Sequence, residues 1–356
     1  MKVCIVGISN LKHMTLISLY TDYFETYGIP YDLIYIDKYG IDEKNKAEKA
    51  YKLQETSTGI MGKIIKIIRF IIFSTDILKR NKYDFVVIWR EQTAVMLAPF
   101  LAKYYRGKYS VNIRDLFRSN NPILEYLLTY AIKYSAFNTI SSEGFRNYLP
   151  GNCEYIMVHS VNANVVNNIL PSKRKMIDEP ICILYLGTVR FYDYCKQIID
   201  CFGNDKRFIV KFIGQGSVEL EEYASEKKYD NVVCLGAFDS SETVRLLKGA
   251  DIMNCAFGAD SNQEKYLTPI RFYYSLYMRI PSLTTEGTWI NQQCKELSMS
   301  LTLPPVITDN KRTADDIFEK YQSINREYMS NCIDTYINEI EKNNSKFLNE
   351  LKRIVK

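Results

Sequence analysis

Short apolar segments alternate with helical stretches along most of this 356-residue chain, and several of the segments end directly in glycine. Residues 2–7 read KVCIVG, and residues 181–187 repeat the form as ICILYLG. Apolar runs rich in β-branched residues, bounded by turns and followed by helical periodicity, are typical of parallel strands in βαβ units. The sequence therefore predicts an α/β fold made of doubly wound parallel sheets.

Residues 164–180 separate two such series of strands and helices. This stretch is polar and basic and has no strong period, so we interpret it as a linker. It divides the chain into an N-terminal Rossmann-like domain over residues 1–170 and a C-terminal one over residues 171–335. The helical end, residues 336–356, is predicted to pack back on the N-terminal domain. A chain of this length readily holds two domains.

Composition excludes several classes of protein. The net charge is only +5, from 46 basic and 41 acidic residues, so no nucleic-acid partner is expected. Nine cysteines occur without a C-x-x-C pair, which favours a reducing, cytoplasmic compartment over disulfides or a zinc site. The turn after the first strand lacks the G-x-G-x-x-G pattern, so a nicotinamide cofactor is not expected. No Asp-x-Asp pair is present, and no bound metal is predicted.

Residues 59–73, GIMGKIIKIIRFIIF, form an exceptionally apolar helical segment. Lys63, Lys66 and Arg69 share one arc of the helix, and isoleucines cover most of the rest. Such a helix is either a core helix with one solvent-exposed face or a helix on a membrane surface. In the second case its cations contact anionic headgroups. Both interpretations stay open. The charged residues before it, 42–55, are predicted to form a surface helix.

In the N-terminal half, candidate functional residues follow the strand ends, where ligands collect in open parallel sheets. The strand over residues 109–113 ends at Arg114 and Asp115. Asp115 is a candidate general base, because a carboxylate at this edge can take a proton from an acceptor hydroxyl. The alternative is an Arg–Asp pair that braces a loop. His13, near the end of the first strand, is a candidate acceptor contact, with a structural histidine as the alternative.

In the C-terminal half, three successive strands end in Gly187, Gly214 and Gly236. Glycine lets a loop turn sharply or lets a ligand approach the backbone. Residues 268–271 read TPIR, and a helix that begins at the proline places Arg271 in its first turn. The free N–H groups of that turn and the fork of an arginine form a natural phosphate site. The alternative is a surface helix with a solvated arginine.

These motifs resemble the GT-B glycosyltransferases, and the second half looks most like their retaining, GT4-type donor domains. GTVR resembles the family's glycine loop with a basic residue, and GQG its Gly-x-Gly loop after the next strand. VVCLGAFDS resembles the part that holds the base, and TPIRFYYSLYMRIP the Lys/Arg-x-x-Glu helix before a strand-starting proline. The likeness covers residues 1–340 in layout and 181–285 in motif, and it implies two Rossmann-like domains that face a cleft.

The resemblance also implies a set of donor-binding positions. They are Gly187, Thr188, Arg190, Gly214, Gly216, Ala237, Phe238, Tyr266, Thr268, Arg271 and Tyr274. The two arginines would face the donor diphosphate, and the Ala-Phe pair would frame the base.

The sequence departs from the family pattern at two of these positions. Tyr266 and Tyr274 stand where the family has glutamates that include the ribose contact, and the nearest carboxylate, Glu264, is two residues out of register. A tyrosine hydroxyl can form a hydrogen bond with a ribose, but it cannot accept two hydrogen bonds bidentately as a carboxylate does. Arg114 and Asp115 fall where many members carry a His-Asp pair beside the donor sugar.

The resemblance implies a retaining, metal-independent hexosyl- or N-acetylhexosaminyltransferase without a cofactor, whose substrate is a UDP- or GDP-linked sugar. Its acceptor would be a glycan or lipid-linked saccharide of bacterial surface polysaccharide assembly, such as a capsule, with residues 59–73 on the inner membrane face. Two other classes stay open. A sugar-nucleotide epimerase would need more carboxylates or histidines in the cleft, and the two tyrosines favour a non-catalytic GT-B partner subunit.

Overall fold

The structure, a computed structural model, describes residues 1–14, 16–56, 59–115, 121–172 and 179–355. Its contacts divide the chain into two compact units. The N-terminal unit comprises Met1–His159 with Glu341–Lys356, and the C-terminal unit comprises Ser160–Ile340. The domain limits at residues 170 and 335 stay predictions. Part of the predicted linker, residues 173–178, lies outside the described residues.

The N-terminal unit contains a parallel sheet. Its strands are β1 (Val3–Gly7), β2 (Tyr31–Asp37), β3 (Lys49–Gln54), β4 (Phe85–Trp89), β5 (Tyr109–Ile113), β6 (Phe137–Ile140) and β7 (Ile156–Met157). Its helices are α1 (Ser18–Thr26), α2 (Gly59–Asn81), α3 (Glu91–Tyr104) and α4 (Pro122–Lys133), with 3-10 turns at Leu11–His13 and Glu143–Asn147. β1, β2 and β4 are buried throughout, as continuous apolar strands in a doubly covered sheet should be.

The C-terminal unit contains a second parallel sheet. Its strands are β8 (Ile181–Leu186), β9 (Phe208–Ile213), β10 (Val232–Leu235), β11 (Ile252–Asn254), β12 (Ser282–Thr285) and β13 (Ser300–Leu303). Its helices are α5 (Ala163–Val166), α6 (Tyr192–Phe202), α7 (Val218–Glu226), α8 (Thr243–Leu247), α9 (Asn262–Tyr266), α10 (Ile270–Met278), α11 (Trp289–Glu296) and α12 (Asn310–Ser323), with a 3-10 turn at Ser240–Glu242. The last helix, α13 (Arg326–Val355), begins in this unit.

The two sheets repeat one topology. The first has the strand order β3-β2-β1-β4-β5-β6-β7, and the second has the order β10-β9-β8-β11-β12-β13. In each sheet the chain starts in the middle, moves to one edge, and then returns to build the other side. This is the Rossmann-like, doubly wound arrangement, and it confirms the predicted fold class. It also brings the carboxyl ends of all strands in a sheet to one edge, where the loops that follow them meet.

Residues 42–55 do not form the predicted surface helix. They have no regular secondary structure up to residue 47, and Lys49–Gln54 then pairs in parallel with β2 at the edge of the sheet. The strand reads KAYKLQ and is only partly buried. Two of the charged residues that suggested a helix, Lys49 and Lys52, therefore belong to an edge strand, where lysines discourage pairing with another sheet.

Helix α2 is exposed over its first half, which contradicts its interpretation as a core helix. Six large apolar side chains are at least 47% exposed and define what we call the isoleucine face: Ile60, Met61, Ile64, Ile65, Ile68 and Ile72. The buried positions begin at Phe70 and continue through Ile77 and Leu78. The helix is therefore held by its C-terminal half. Within the described residues, no helix is long and apolar enough to cross a bilayer.

Helix α13 supplies apolar side chains to both cores. Ile333 and Ile340 lie in a core cluster of the C-terminal unit, whereas Phe347 and Leu351 lie in the core of the N-terminal unit. The Phe347 ring packs edge-on against Tyr20, with 5.0 Å between the ring centroids. The end of the chain is thus a structural part of the N-terminal sheet's covering layer.

Replacing Phe347 with Ala should destabilise the N-terminal unit by about 3–5 kcal/mol, because it empties a fully buried aromatic site. Urea unfolding measures the change in the free energy of unfolding. The neighbouring Leu348 is exposed, and Leu348→Ala should change stability by less than about 0.5 kcal/mol. Equal effects of the two substitutions would show that the end of α13 is not part of that core.

Candidate functional site

Arg271 is a buried cation in the C-terminal unit. Pro269 is the N-cap of α10, so Arg271 lies in the first turn, as predicted. The residue is only 5% exposed, and its Nε donates a hydrogen bond to the carbonyl oxygen of Asn254 at 2.8 Å. Its Cζ lies 3.7 Å from the centroid of the Tyr185 ring and 5.1 Å from that of Phe257. The alternative of a solvated surface arginine is therefore wrong.

The guanidinium of Arg271 is not fully paired. Its Nη2 atom is buried, and among the described residues it has no hydrogen-bond partner. Burying a cation without compensation costs free energy, so such a group is expected where a ligand completes its contacts. A phosphate offers the oxygens that match a guanidinium fork. In the part of the chain that the structure covers, no cluster of three His, Cys, Asp or Glu residues is placed to hold a metal ion.

The glycine loops after β8 and β9 lie against each other and beside Arg271. A Cβ atom at Gly187 would lie 3.8 Å from Arg271 Nη1. A Cβ atom at Gly214 would lie 2.0 Å from the carbonyl oxygen of Gly187, so only glycine fits there. At Gly216 a Cβ atom would lie 2.1 Å from the hydroxyl of Tyr192. The fold thus brings the predicted glycines of two loops to one buried arginine.

Thr188 and Arg190 lie on the loop that follows Gly187, and both are exposed. The carbonyl oxygen of Thr188 accepts a hydrogen bond from the Tyr185 hydroxyl at 2.9 Å, so the residue that packs on Arg271 also fixes this loop. Arg190 stands just before α6, and its guanidinium has no ion pair within the described ranges. The sequence analysis did not single out Tyr185 as a site residue, although its hydroxyl is the one polar side-chain group in the apolar strand before Gly187.

The other predicted donor residues are more dispersed. Ala237 is exposed and Phe238 is half-buried in the loop after β10. Tyr266 ends α9, and Thr268 lies in the connection to α10; both are half-buried. Tyr274 lies in a core cluster, and burial raises its pKa to about 12. The roles of these five residues in base and ribose binding stay predictions.

Glu264, the carboxylate nearest to the family's glutamate positions, has a structural role. Its side chain accepts a hydrogen bond from the backbone N–H of Ser261 at 2.5 Å, and its own N–H donates to the Ser261 hydroxyl at 3.2 Å. This reciprocal pair is a capping box that begins α9.

In the N-terminal unit, Arg90 connects two of the predicted catalytic candidates. Its Nη1 lies 3.6 Å from Asp115 Oδ2, and its Nη2 donates to the carbonyl oxygen of His13 at 3.1 Å. Arg90 is the N-cap of α3 and has a positive φ of 71°. Sequence reasoning missed this residue, although it directly follows an apolar strand, as Arg114 does.

Arg114 does not form the loop-bracing pair with Asp115. Its Nη1 donates to the carbonyl oxygen of Val158 at 3.5 Å, and its Cζ lies 5.8 Å from the Trp89 ring. The ion pair of Asp115 is with Arg90 instead. The roles of Arg114, Asp115 and His13 in catalysis stay predictions.

The imidazole of His13 is half-buried, and its Nε2 lies 3.0 Å from the hydroxyl of Tyr39. Burial lowers the pKa of His13, and the positive charges of Lys12, Lys38 and Arg90 lower it further. This shift favours the neutral imidazole, which can accept a hydrogen bond.

Glu91 is a buried carboxyl group that sequence reasoning also missed. It is 2% exposed in the first turn of α3, and its Oε2 has no hydrogen-bond partner in the described part of the chain. Burial raises the pKa of Glu91 to about 8, and the negative charge of Asp115 raises it as well. A protonated carboxyl group near a carboxylate is an arrangement that enzymes use for acid–base chemistry.

Replacing Glu91 with Gln should remove part of the pH dependence of stability. The pKa of Glu91 is about 8 in the folded state, whereas an unfolded glutamate titrates near 4.3. Between these values the folded state binds one more proton, so the free energy of unfolding falls by about 1.4 kcal/mol per pH unit as the pH rises. Urea unfolding at several pH values should show a flatter profile for E91Q. The exposed Glu222→Gln variant should keep the native slope, and an unchanged slope in E91Q would mean that Glu91 titrates normally.

No family model matches the sequence, and no curated protein matches it. Solved structures do match, and the three described next cover 98% or more of this chain with a TM-score of 0.68 each. Anabaena HepE in complex with UDP is 10% identical, over 99% of this chain and 100% of its own. A glycosyltransferase from Rickettsia africae is 12% identical, over 100% and 98%. WaaG, a glycosyltransferase involved in lipopolysaccharide biosynthesis, is 10% identical, over 98% of each chain. These neighbours are GT-B glycosyltransferases, and this chain has the GT-B fold.

Proposed function

We propose that the protein is a glycosyltransferase that moves a sugar from a nucleotide-sugar donor to a glycan or lipid-linked acceptor. The observation that carries the proposal is Arg271, a buried guanidinium with an unpaired nitrogen beside the loops of Gly187 and Gly214. Close backbone approach and a fork of N–H donors are what a nucleoside diphosphate requires. HepE has been solved with UDP and with UDP-glucose, which supports a UDP-linked hexose as the donor.

The proposed reaction breaks the bond between the anomeric carbon and the donor diphosphate. Arg271 and Arg190 stabilise the charge that develops on the leaving diphosphate, a task that a metal ion performs in other enzymes. In a retaining reaction, the leaving phosphate takes the proton of the acceptor hydroxyl and Asp115 orients the sugar. In an inverting reaction, Asp115 is the general base, and Arg90 fixes its position.

Replacing Arg271 with Ala should weaken UDP binding roughly tenfold or more, because a hydrogen bond to a charged group is worth about 1.5–3 kcal/mol. Arg271→Lys keeps the charge but not the fork and should recover only part of the affinity. Isothermal titration without metal measures the dissociation constants, and thermal unfolding without ligand detects any folding defect.

Arg245 serves as the matched control, since it is an exposed arginine of the same unit that pairs with Glu242. R245A should bind UDP like the native chain. The donor site would be refuted if native protein does not bind UDP or GDP, or if R271A folds and binds them unchanged.

A non-catalytic GT-B partner subunit is the second candidate. Tyrosines occupy both family glutamate positions, Tyr274 lies in the core, and the carboxylate of Glu264 caps a helix. Such a subunit would show no turnover of UDP-glucose or UDP-N-acetylglucosamine. If the native chain hydrolyses either donor or transfers its sugar, and R271A does not, the protein is a transferase.

The isoleucine face of α2 supports a place at the cytoplasmic surface of the inner membrane, in the assembly of a surface polysaccharide such as a capsule. Exposed apolar side chains from Ile60 to Ile72, over more than three turns of helix, would enter the interface between headgroups and acyl chains. Lys63, Lys66 and Arg69 alternate with them, and residues 59–82 carry six basic residues against one acidic residue. This charge fits anionic lipids.

Replacing Ile64 and Ile68 with Glu should abolish most binding to vesicles that contain phosphatidylglycerol, as measured by co-sedimentation. Two apolar side chains that would enter the membrane interface are lost, and two charges that anionic lipids repel are gained. Native binding should weaken with added salt. Leu170→Glu changes an even more exposed apolar residue of the other unit, and this variant should bind like native protein. If native protein does not bind these vesicles at low salt, the proposed membrane association is refuted.

A further inference from the structure

Asn254, the last residue of β11, is fully buried and keeps an unused pair of hydrogen-bond donors. The residue is 0% exposed, and its Nδ2 atom has no hydrogen-bond partner among the described residues. The Oδ1 atom of the same amide accepts a hydrogen bond from the backbone N–H of Ala256 at 3.1 Å. This bond sets the orientation of the amide, because an NH₂ group in that place would face another donor. Both N–H groups of Nδ2 therefore point elsewhere.

The register of the sheet places this amide beside Tyr185, the ring on which Arg271 stacks. Strands β11 and β8 pair in parallel, and the next positions of their register are Asn254 and Tyr185. Tyr185 shares a core cluster with Ala256, two residues after Asn254, so these side chains lie on one face of the sheet. The Cζ atom of Arg271 lies 3.7 Å from the centroid of the Tyr185 ring. The amide and the guanidinium are therefore neighbours.

A direct hydrogen bond also joins Arg271 to Asn254. The Nε atom of the arginine donates to the carbonyl oxygen of Asn254 at 2.8 Å. The Nη2 atom of the same guanidinium is buried and has no partner in the described part of the chain. The two unused donors thus belong to two residues whose relative position is fixed by that bond.

The loop that follows β11 uses its own N–H groups to fold back on the sheet. The backbone N–H groups of Phe257 and Gly258 donate to Thr285 Oγ1 at 3.3 and 3.2 Å. These bonds hold the Phe257 ring 5.1 Å from the Cζ atom of Arg271. The N–H groups of this loop are therefore not free for a ligand, whereas the amide of Asn254 is.

No carboxylate compensates for the charge of this pair in the residues that the structure covers. Arg271 has no ion pair there. Glu264, a buried acid of the adjoining helix α9, accepts from the backbone N–H of Ser261 and completes the capping box. Buried donors without an acceptor cost free energy until an anion binds them. A phosphate oxygen can accept hydrogen bonds from both groups at once.

We infer that Asn254 and Arg271 bind one phosphate group of the nucleotide-sugar donor, with Asn254 donating through Nδ2 and Arg271 through Nη2. This inference rests on the proposed transferase function and adds a donor-binding residue that the sequence motifs do not indicate. The phosphate approaches along Gly187, where a Cβ atom would lie 3.8 Å from Arg271 Nη1 and none is present. A neutral amide can bind the phosphate without burying a second charge.

Asn254→Asp tests the role of the amide nitrogen. The aspartate keeps the size of the side chain and the acceptor for the Ala256 N–H, but an oxygen that repels phosphate replaces the donor. Isothermal titration of the full chain should show more than tenfold weaker binding of UDP or GDP, whichever the native chain binds. Binding of the parent nucleoside should stay within about twofold of native. Asn254→Ala removes the donor without adding a charge and should weaken diphosphate binding roughly fivefold.

Asn310→Asp is the matched control, since it adds the same charge at an exposed asparagine of the same unit. It should bind the diphosphate within about twofold of native. Thermal unfolding without ligand shows whether each variant folds. N254D should be at least as stable as native protein, because its carboxylate can pair with Arg271. If N254D does not fold, the result for N254A decides.

Several results would overturn the inference. They are native affinity in N254D and N254A, an equal loss of nucleoside and diphosphate binding, and an equal loss in N310D. Pyrophosphate separates this inference from the proposed function. If R271A loses the diphosphate and the Asn254 variants do not, only the role of Asn254 fails. If the native chain binds pyrophosphate but no nucleoside diphosphate, and N254D loses it, the donor function fails and the anion site stands. If the native chain binds neither, both fail.

Discussion

The close approach of two glycine loops sets the geometry of the C-terminal unit. Strands β8 and β9 pair in parallel up to Leu186 and Ile213, so the residues after them must turn away side by side. The carbonyl oxygen of Gly187 occupies the space that a side chain at Gly214 would need. Backbone hydrogen bonds from the Gly187 N–H to the Ile213 carbonyl oxygen at 2.8 Å and from the Val189 N–H to the Gln215 carbonyl oxygen at 2.9 Å hold the two loops together beside Arg271. Such preorganisation is the physical basis of tight anion binding.

Each unit also buries an ionisable group with an atom that lacks a hydrogen-bond partner among the described residues. Arg271 is enclosed by two aromatic rings and a carbonyl oxygen, and Glu91 is enclosed near Asp115 with one oxygen unpaired. Both arrangements reduce stability relative to an apolar residue of similar size. Groups of this kind cluster at functional sites, where a ligand or a transferred proton completes their contacts. These two buried groups mark the two sheet edges where a function should be tested, and they do so more clearly than any exposed charge.

Much of the fold could be predicted from the sequence, because buried parallel strands are continuous apolar runs. Gly187, Gly214 and Gly236 follow β8, β9 and β10 as the sequence predicted, and Pro269 places Arg271 in the first turn of its helix. The wrong predictions concern segments whose structure depends on which of their residues are buried. Residues 49–54 form an edge strand because β2 offers a partner, and α2 leaves its isoleucines exposed because only its second half has buried positions. The pairing of Asp115 with Arg90 depends on strand order, which one sequence does not reveal.

Helix α13 has a consequence for the order in which the two units fold. The core of the N-terminal unit includes Phe347, Leu351 and Val355, which follow the whole C-terminal unit in the chain. A nascent chain can form the first seven strands, yet it cannot close their core until α13 has been synthesised. During that time the apolar surface that α13 later covers is open to solvent and to other chains. The N-terminal unit therefore completes its folding after the C-terminal one has left the ribosome, the reverse of the usual vectorial order.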